Sequence, residues 1–157
     1  MKKLLSADGS LASRDSLVLF LRISVTALML THGIPKLQSL LSGDIRFISV
    51  FGLGEELSLS LAVFAEVACS MLILFGFATR LAVIPLIVTM LIAVFHFHAA
   101  DPFAKQEVGL LYLVGYVILF FTGSGKYSID YLTQRKTVAS GAVKKHRLGA
   151  SQRVSHG

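Results

Sequence analysis

The sequence predicts an all-α fold, an integral membrane antiparallel four-helix bundle. Three observations carry that prediction. Of the 157 residues 54% are hydrophobic and 15% charged, whereas a soluble domain is about 45–50% apolar and about a quarter charged. The apolar excess falls in four blocks joined by short charged connections, which leaves no stretch for a second core. The block over residues 57–78 runs 22 residues with one ionisable group, Glu66, near its middle. At 1.5 Å per residue it spans about 33 Å, enough to cross the hydrocarbon layer.

The elements follow in order. Residues 1–16, MKKLLSADGSLASRDS, are polar and lack the apolar run and small-residue cleavage site of a secretory leader. They are expected at the cytoplasmic membrane surface, with the first span as an uncleaved anchor. That span is expected over residues 17–31, reaching at most Pro35, and carries Arg22. Gly33 and Pro35 in THGIPKL are expected to end it, because proline disfavours helical geometry at the preceding residue. The connection over residues 36–56 is half apolar and suits a short amphipathic piece at the interface. The second span ends at GFATR, and a tight turn opens the third, in which Pro85 is expected near the first turn. The fourth is expected over residues 108–123, stopped by GSGKYS. The membrane domain thus covers 17–132. Residues 133–157 form a basic tail, expected to be disordered and drawn to anionic lipid heads rather than to nucleic acid.

Orientation follows from Lys and Arg counts. Four spans place both termini on one side, which collects eleven basic residues including Arg80, against three (Lys36, Arg46, Lys105) on the other. The positive-inside rule makes the first side cytoplasmic. His32, Lys36, Glu55, Glu56, His96, His98, Asp101 and Glu107 then gather at the outer face.

A carboxyl group at mid-membrane costs about 2.5–3.5 kcal/mol on insertion scales, so Glu66 is expected to face protein. Ser58, Ala62, Glu66 and Ser70 share an i, i+4 line whose small side chains permit close helix approach. Two arrangements are open for Arg22. It pairs with Glu66 across the first two spans, at an axial offset of about 10 Å, or it reaches to the cytoplasmic face and leaves Glu66 uncharged. Cys69 is the only cysteine, so no intrachain disulfide and no CxxC redox pair exists, and it reads as a small core residue. His96 and His98 are two apart and point about 200° from each other on a helix. With no HxxxH or ExxH spacing, no metal site is expected and haem is disfavoured. GSGKYS lacks the full spacing of a phosphate loop.

An arginine early in span one, HGIPKL after it, mid-span Glu66, GFATR, the histidine-bearing end of span three, Glu107 opening span four and GSGKYSID occur in that order. Over residues 17–132 this resembles the DoxX family of small four-helix bacterial membrane proteins. That family is similar in part to the membrane subunit of a thiosulfate:quinone oxidoreductase, and other members are associated with membrane redox or detoxification complexes. The resemblance implies a multi-pass protein of the bacterial inner membrane that serves as a subunit or accessory of a redox system with a redox partner, quinone-linked if it holds a cofactor, rather than a stand-alone enzyme. Its pocket is expected to draw on Arg22, His32, Lys36, Glu66, His96 and Glu107. The alternatives are a non-catalytic scaffold or a small-solute or lipid-handling protein, and a proton-coupled carrier, which four short spans allow only as a homo-oligomer.

Overall fold

The computed structural model describes residues 11–135. The first ten residues and the basic tail beyond Arg135 lie outside the described residues, and with them most of the expected tail disorder and lipid attraction. Four long helices carry the described chain: α1 Leu11–Ser42, α2 Glu55–Phe75, α3 Thr79–Phe97 and α4 Phe103–Thr122. Each is long and apolar enough to cross a membrane. No strand occurs among the described residues. Consecutive helices pack side by side, and α1 also meets α4, so the bundle closes as an up-down-up-down ring.

The interior is filled by Met29, Ile73, Val83, Leu86, Tyr116 and Leu119. Large side chains such as Phe20, Leu28, Phe64, Val88, Leu111 and Phe121 stand exposed on the outer surface. A surface this apolar suits acyl chains rather than water.

The first helix runs on where proline was expected to end it. α1 passes through Pro35 and continues to Ser42. Packing overrides the local bias here. A Cβ built on Gly33 would lie 2.8 Å from Val67 Cγ2 and 3.1 Å from Glu66 Cβ, so α1 rests directly on α2 at this level. Pro85 lies in the second turn of α3, a little deeper than expected because the helix opens at Thr79.

Both inner helices widen into π-helical turns, Phe64–Cys69 in α2 and Ala93–Phe97 in α3. Neither is visible as a break in hydrophobic periodicity. Such turns occur frequently at functional sites, and the first of them contains Glu66.

Candidate functional site

Glu66 faces protein, as a mid-membrane acid must. Its side chain is 2% exposed, and its partner is Lys36, whose Nζ donates to Glu66 Oε1. The pairing depends on the continuation of α1. Were the helix to end at Gly33, Lys36 would leave the bundle; instead it follows His32 by one turn and lies beside α2. Glu66 Oε2 is buried and accepts no hydrogen bond from the described residues. Tyr112 and Tyr116 of α4 lie within electrostatic reach of this carboxyl group and stack on each other at 6.2 Å. A buried acceptor without a donor costs about 1–3 kcal/mol, so Glu66 Oε2 is a candidate to receive a hydrogen bond from outside the described residues.

The pair stands at a cleft of about 850 Å³, within the range of small-molecule sites. One wall is α2 (Ser58, Leu61, Ala62, Ala65) and the other α3 (Ile84, Val88, Thr89, Ile92), while Phe47, Val50 and Phe51 of the α1–α2 connection cover it. Phe51 stacks on His96 at 5.5 Å and Phe47 lies 6.4 Å from Phe97, which fastens this cover to the π-helical end of α3. Lys36 Nζ sits 5.7 Å from the Phe47 ring centroid, a cation–π contact. Exposed Leu61, Phe64 and Val88 at the rim place the cleft beside the lipid-facing surface.

Most polar groups in the lining are already engaged. Ser58 Oγ donates to Gly54 O, Thr89 Oγ1 donates to Pro85 O, and Arg46 Nε donates to Asp44 Oδ1. What remains is Lys36 with Glu66, and His98 with Asp101.

The other expected pocket residues are elsewhere. His96 is spent on Phe51. His32 is exposed and meets Tyr112 edge-on at 6.0 Å. Glu107 is exposed on α4 and does not line the cleft. His98, absent from the expected set, does line it.

Arg22 is also absent from the cleft, and it neither pairs with Glu66 nor reaches outward. Only 1% exposed, it lies at the opposite end of the bundle. Nε donates to Ile73 O at 2.8 Å and Nη2 to Leu74 O at 2.6 Å, while Nη1 donates to Ser124 O at 2.8 Å and Tyr127 O at 2.7 Å. The guanidinium therefore takes up carbonyls at the C-terminal end of α2, where the helix dipole is negative, and ties the segment after α4 to them. Gly76 makes room: a Cβ there would fall 2.6 Å from Arg22 Nη2. GSGKYSID thus does more than stop a helix. Its Asp130 accepts the Ala78 N–H at 2.9 Å and caps the start of α3.

A family model described as DoxX matches residues 17–99, from α1 through α3. No curated protein and no solved structure matches the chain.

Proposed function

Because the chain belongs to the DoxX family, we propose that it serves a membrane redox system by holding a quinone in the cleft between α2 and α3. The observation that carries this reading is the Lys36–Glu66 pair, its carboxyl group buried beside an apolar cleft at the lipid-facing surface and retaining an unused oxygen. A quinone supplies two-electron, two-proton redox chemistry when bound. Lys36 has further N–H groups to offer a ring carbonyl, and Glu66 has lone pairs to accept from a ring hydroxyl. The apolar walls suit an isoprenoid tail, which enters from the bilayer without crossing water. Electrons pass to a partner protein, and this chain acts as its membrane subunit rather than as a complete enzyme.

The location belongs to the same proposal. The chain resides in a bacterial inner membrane with both termini cytoplasmic, which puts the cleft toward the outer face and Arg22 toward the cytoplasm. The imbalance of eleven basic residues against three supports this orientation.

A second reading, lipid handling without catalysis, is favoured by the cleft's largely apolar lining, which also suits an acyl chain. The test is titration of a short-chain ubiquinone analogue into the protein in lipid nanodiscs. A charge-assisted hydrogen bond contributes about 1.5–3 kcal/mol, so Glu66→Gln is expected to weaken binding by about tenfold or more. Equal affinity in wild type, Glu66→Gln and Lys36→Gln rejects the site. Absence of quinone binding together with tightly held phospholipid favours the second reading.

A further inference from the structure

Among the described residues His98 is the one histidine that lines the cleft, and its environment differs from that of His96 two residues away. Its Nδ1 lies 2.7 Å from Asp101 Oδ2, and Asp101 Oδ1 takes Lys105 Nζ at 3.3 Å. Gln106 Nε2 donates to His98 O at 2.8 Å and to Asp101 O at 3.2 Å, which fixes the turn that presents both residues. The hydrogen bond from His98, with Lys105 adding to it, holds the Asp101 carboxyl below the usual range, so it stays ionised and accepts. With Nδ1–H directed at a carboxylate, the ring's lone pair is on Nε2. An imidazole whose outer nitrogen is fixed by a carboxylate is an oriented base.

The position of His98 gives that base a task. Glu66 is buried, with 2% of its side chain exposed, whereas the His98 side chain lines the cleft and is itself 41% exposed. Of the polar lining residues, Asp101 has both oxygens engaged, and Lys36 and Arg46 are cations that donate. His98 is left as the weak base within the cleft.

We infer that His98, oriented by Asp101, accepts the hydroxyl proton of a ring-hydroxylated amphiphile bound in the cleft and releases it to water. This inference rests on the cleft being the quinone site. In the step, the ligand O–H bond breaks as an Nε2–H bond forms, and the ligand oxygen keeps the bonding pair as an oxyanion. The imidazolium is steadied by Asp101, and the proton then leaves from Nε2 to solvent, restoring the neutral ring. His98 is a binding and proton-accepting residue and Asp101 a positioning residue. The charged groups that face the ring's surroundings are Lys36 from α1, Arg46 from the connection, Glu66 from α2, Asp101 from the turn before α4 and Lys105 from the first turn of α4.

The test is nitrogen NMR on full-length protein carrying ¹⁵N-histidine in nanodiscs. The chain has five histidines, and His98 is assigned by the resonance missing from His98→Gln. At mildly alkaline pH without ligand, His98 is expected to carry its proton on Nδ1, and Asp101→Asn is expected to return it to the Nε2–H form that free imidazole prefers. Addition of a short-chain ubiquinol is expected to move the Nε2 resonance towards its protonated position. The matching ubiquinone, which has no hydroxyl, is expected to move it far less, and His96 is expected to respond to neither. An Nε2–H tautomer in wild type, or ubiquinol that binds by its own line broadening without moving Nε2, overturns the assignment and leaves the cleft reading intact. Absence of line broadening for both probes overturns the cleft reading itself, while the tautomer measurement still decides the His98–Asp101 geometry.

Discussion

Gly33 of α1 lies against Glu66 of α2, with room for no more than a hydrogen: a Cβ there would meet Glu66 Cβ at 3.1 Å and Val67 Cγ2 at 2.8 Å. This contact sets the depth at which Lys36, one turn further along α1, meets the Glu66 carboxyl group. Gly33→Ala is therefore expected to push the helices apart and loosen the ion pair. Overpacking of this kind costs about 1–3 kcal/mol. Thermal unfolding in detergent should show the loss, and Val67→Ala, which opens the space again, should recover most of it. An unchanged melting temperature in Gly33→Ala would contradict the packing described.

Arg22 and Glu66 share no contact, so their contributions should be independent. A double-mutant cycle between Arg22→Met and Glu66→Gln is expected to give a coupling below about 0.5 kcal/mol. The cycle between Lys36→Met and Glu66→Gln is expected to give a larger one, because removal of Lys36 leaves the Glu66 carboxyl group buried and uncompensated. The reverse order of couplings would mean that the two cations had been assigned to the wrong partners.

Arg22 satisfies four carbonyls with a planar fork of donors, a geometry that an ammonium group does not reproduce. Arg22→Lys should lose stability despite keeping the charge. Each carbonyl left without a donor costs about 1–3 kcal/mol. Limited proteolysis should then cut within residues 123–128 faster than in wild type, and equal cutting rates would contradict the tie.

The four spans and the inward-facing Glu66 were legible in the sequence, because hydrophobic length and the cost of a charge in lipid are local properties. Which cation reaches Glu66 was not. That depends on α1 passing through Pro35, an outcome of packing at Gly33 that a proline rule read locally gets wrong. Arg22 looked like an ion-pair candidate because its true partners are backbone carbonyls, which every sequence contains. His96 was expected in the pocket and His98 was not, although their spacing alone does not tell them apart. The π-helical end of α3 turns one toward Phe51 and the other toward Asp101, and an i, i+3 relation across a turn was the one available hint. The cleft's cover, residues 44–53, carried only the signal of an amphipathic connection.

The Asp101 carboxyl titrates below its ordinary range, chiefly because His98 hydrogen-bonds to it. A depressed acid contributes stability above its unfolded pKa of about 3.9, and that contribution disappears as the pH falls through the folded value. The difference in melting temperature between wild type and Asp101→Asn should therefore be present near neutrality and shrink on acidification through that window. A difference that grows with acid would contradict the sign.

Orientation is open to direct labelling. With Cys69 replaced by alanine, a single cysteine at Ser49 is expected to react with an impermeant maleimide added to intact cells, and one at Lys126 only after permeabilisation. The opposite pattern would invert the proposed topology.

The central claim is that the cleft between α2 and α3 is where a quinone binds, and photolabelling tests it most directly. A ubiquinone analogue bearing a photoreactive azide on its tail, irradiated with the protein in nanodiscs and mapped by mass spectrometry, is predicted to mark Leu61, Ala62, Val88 or Ile92, with labelling suppressed by excess unmodified ubiquinone. Labelling spread over lipid-facing residues such as Phe20 and Phe121, and undiminished by that competitor, would contradict it.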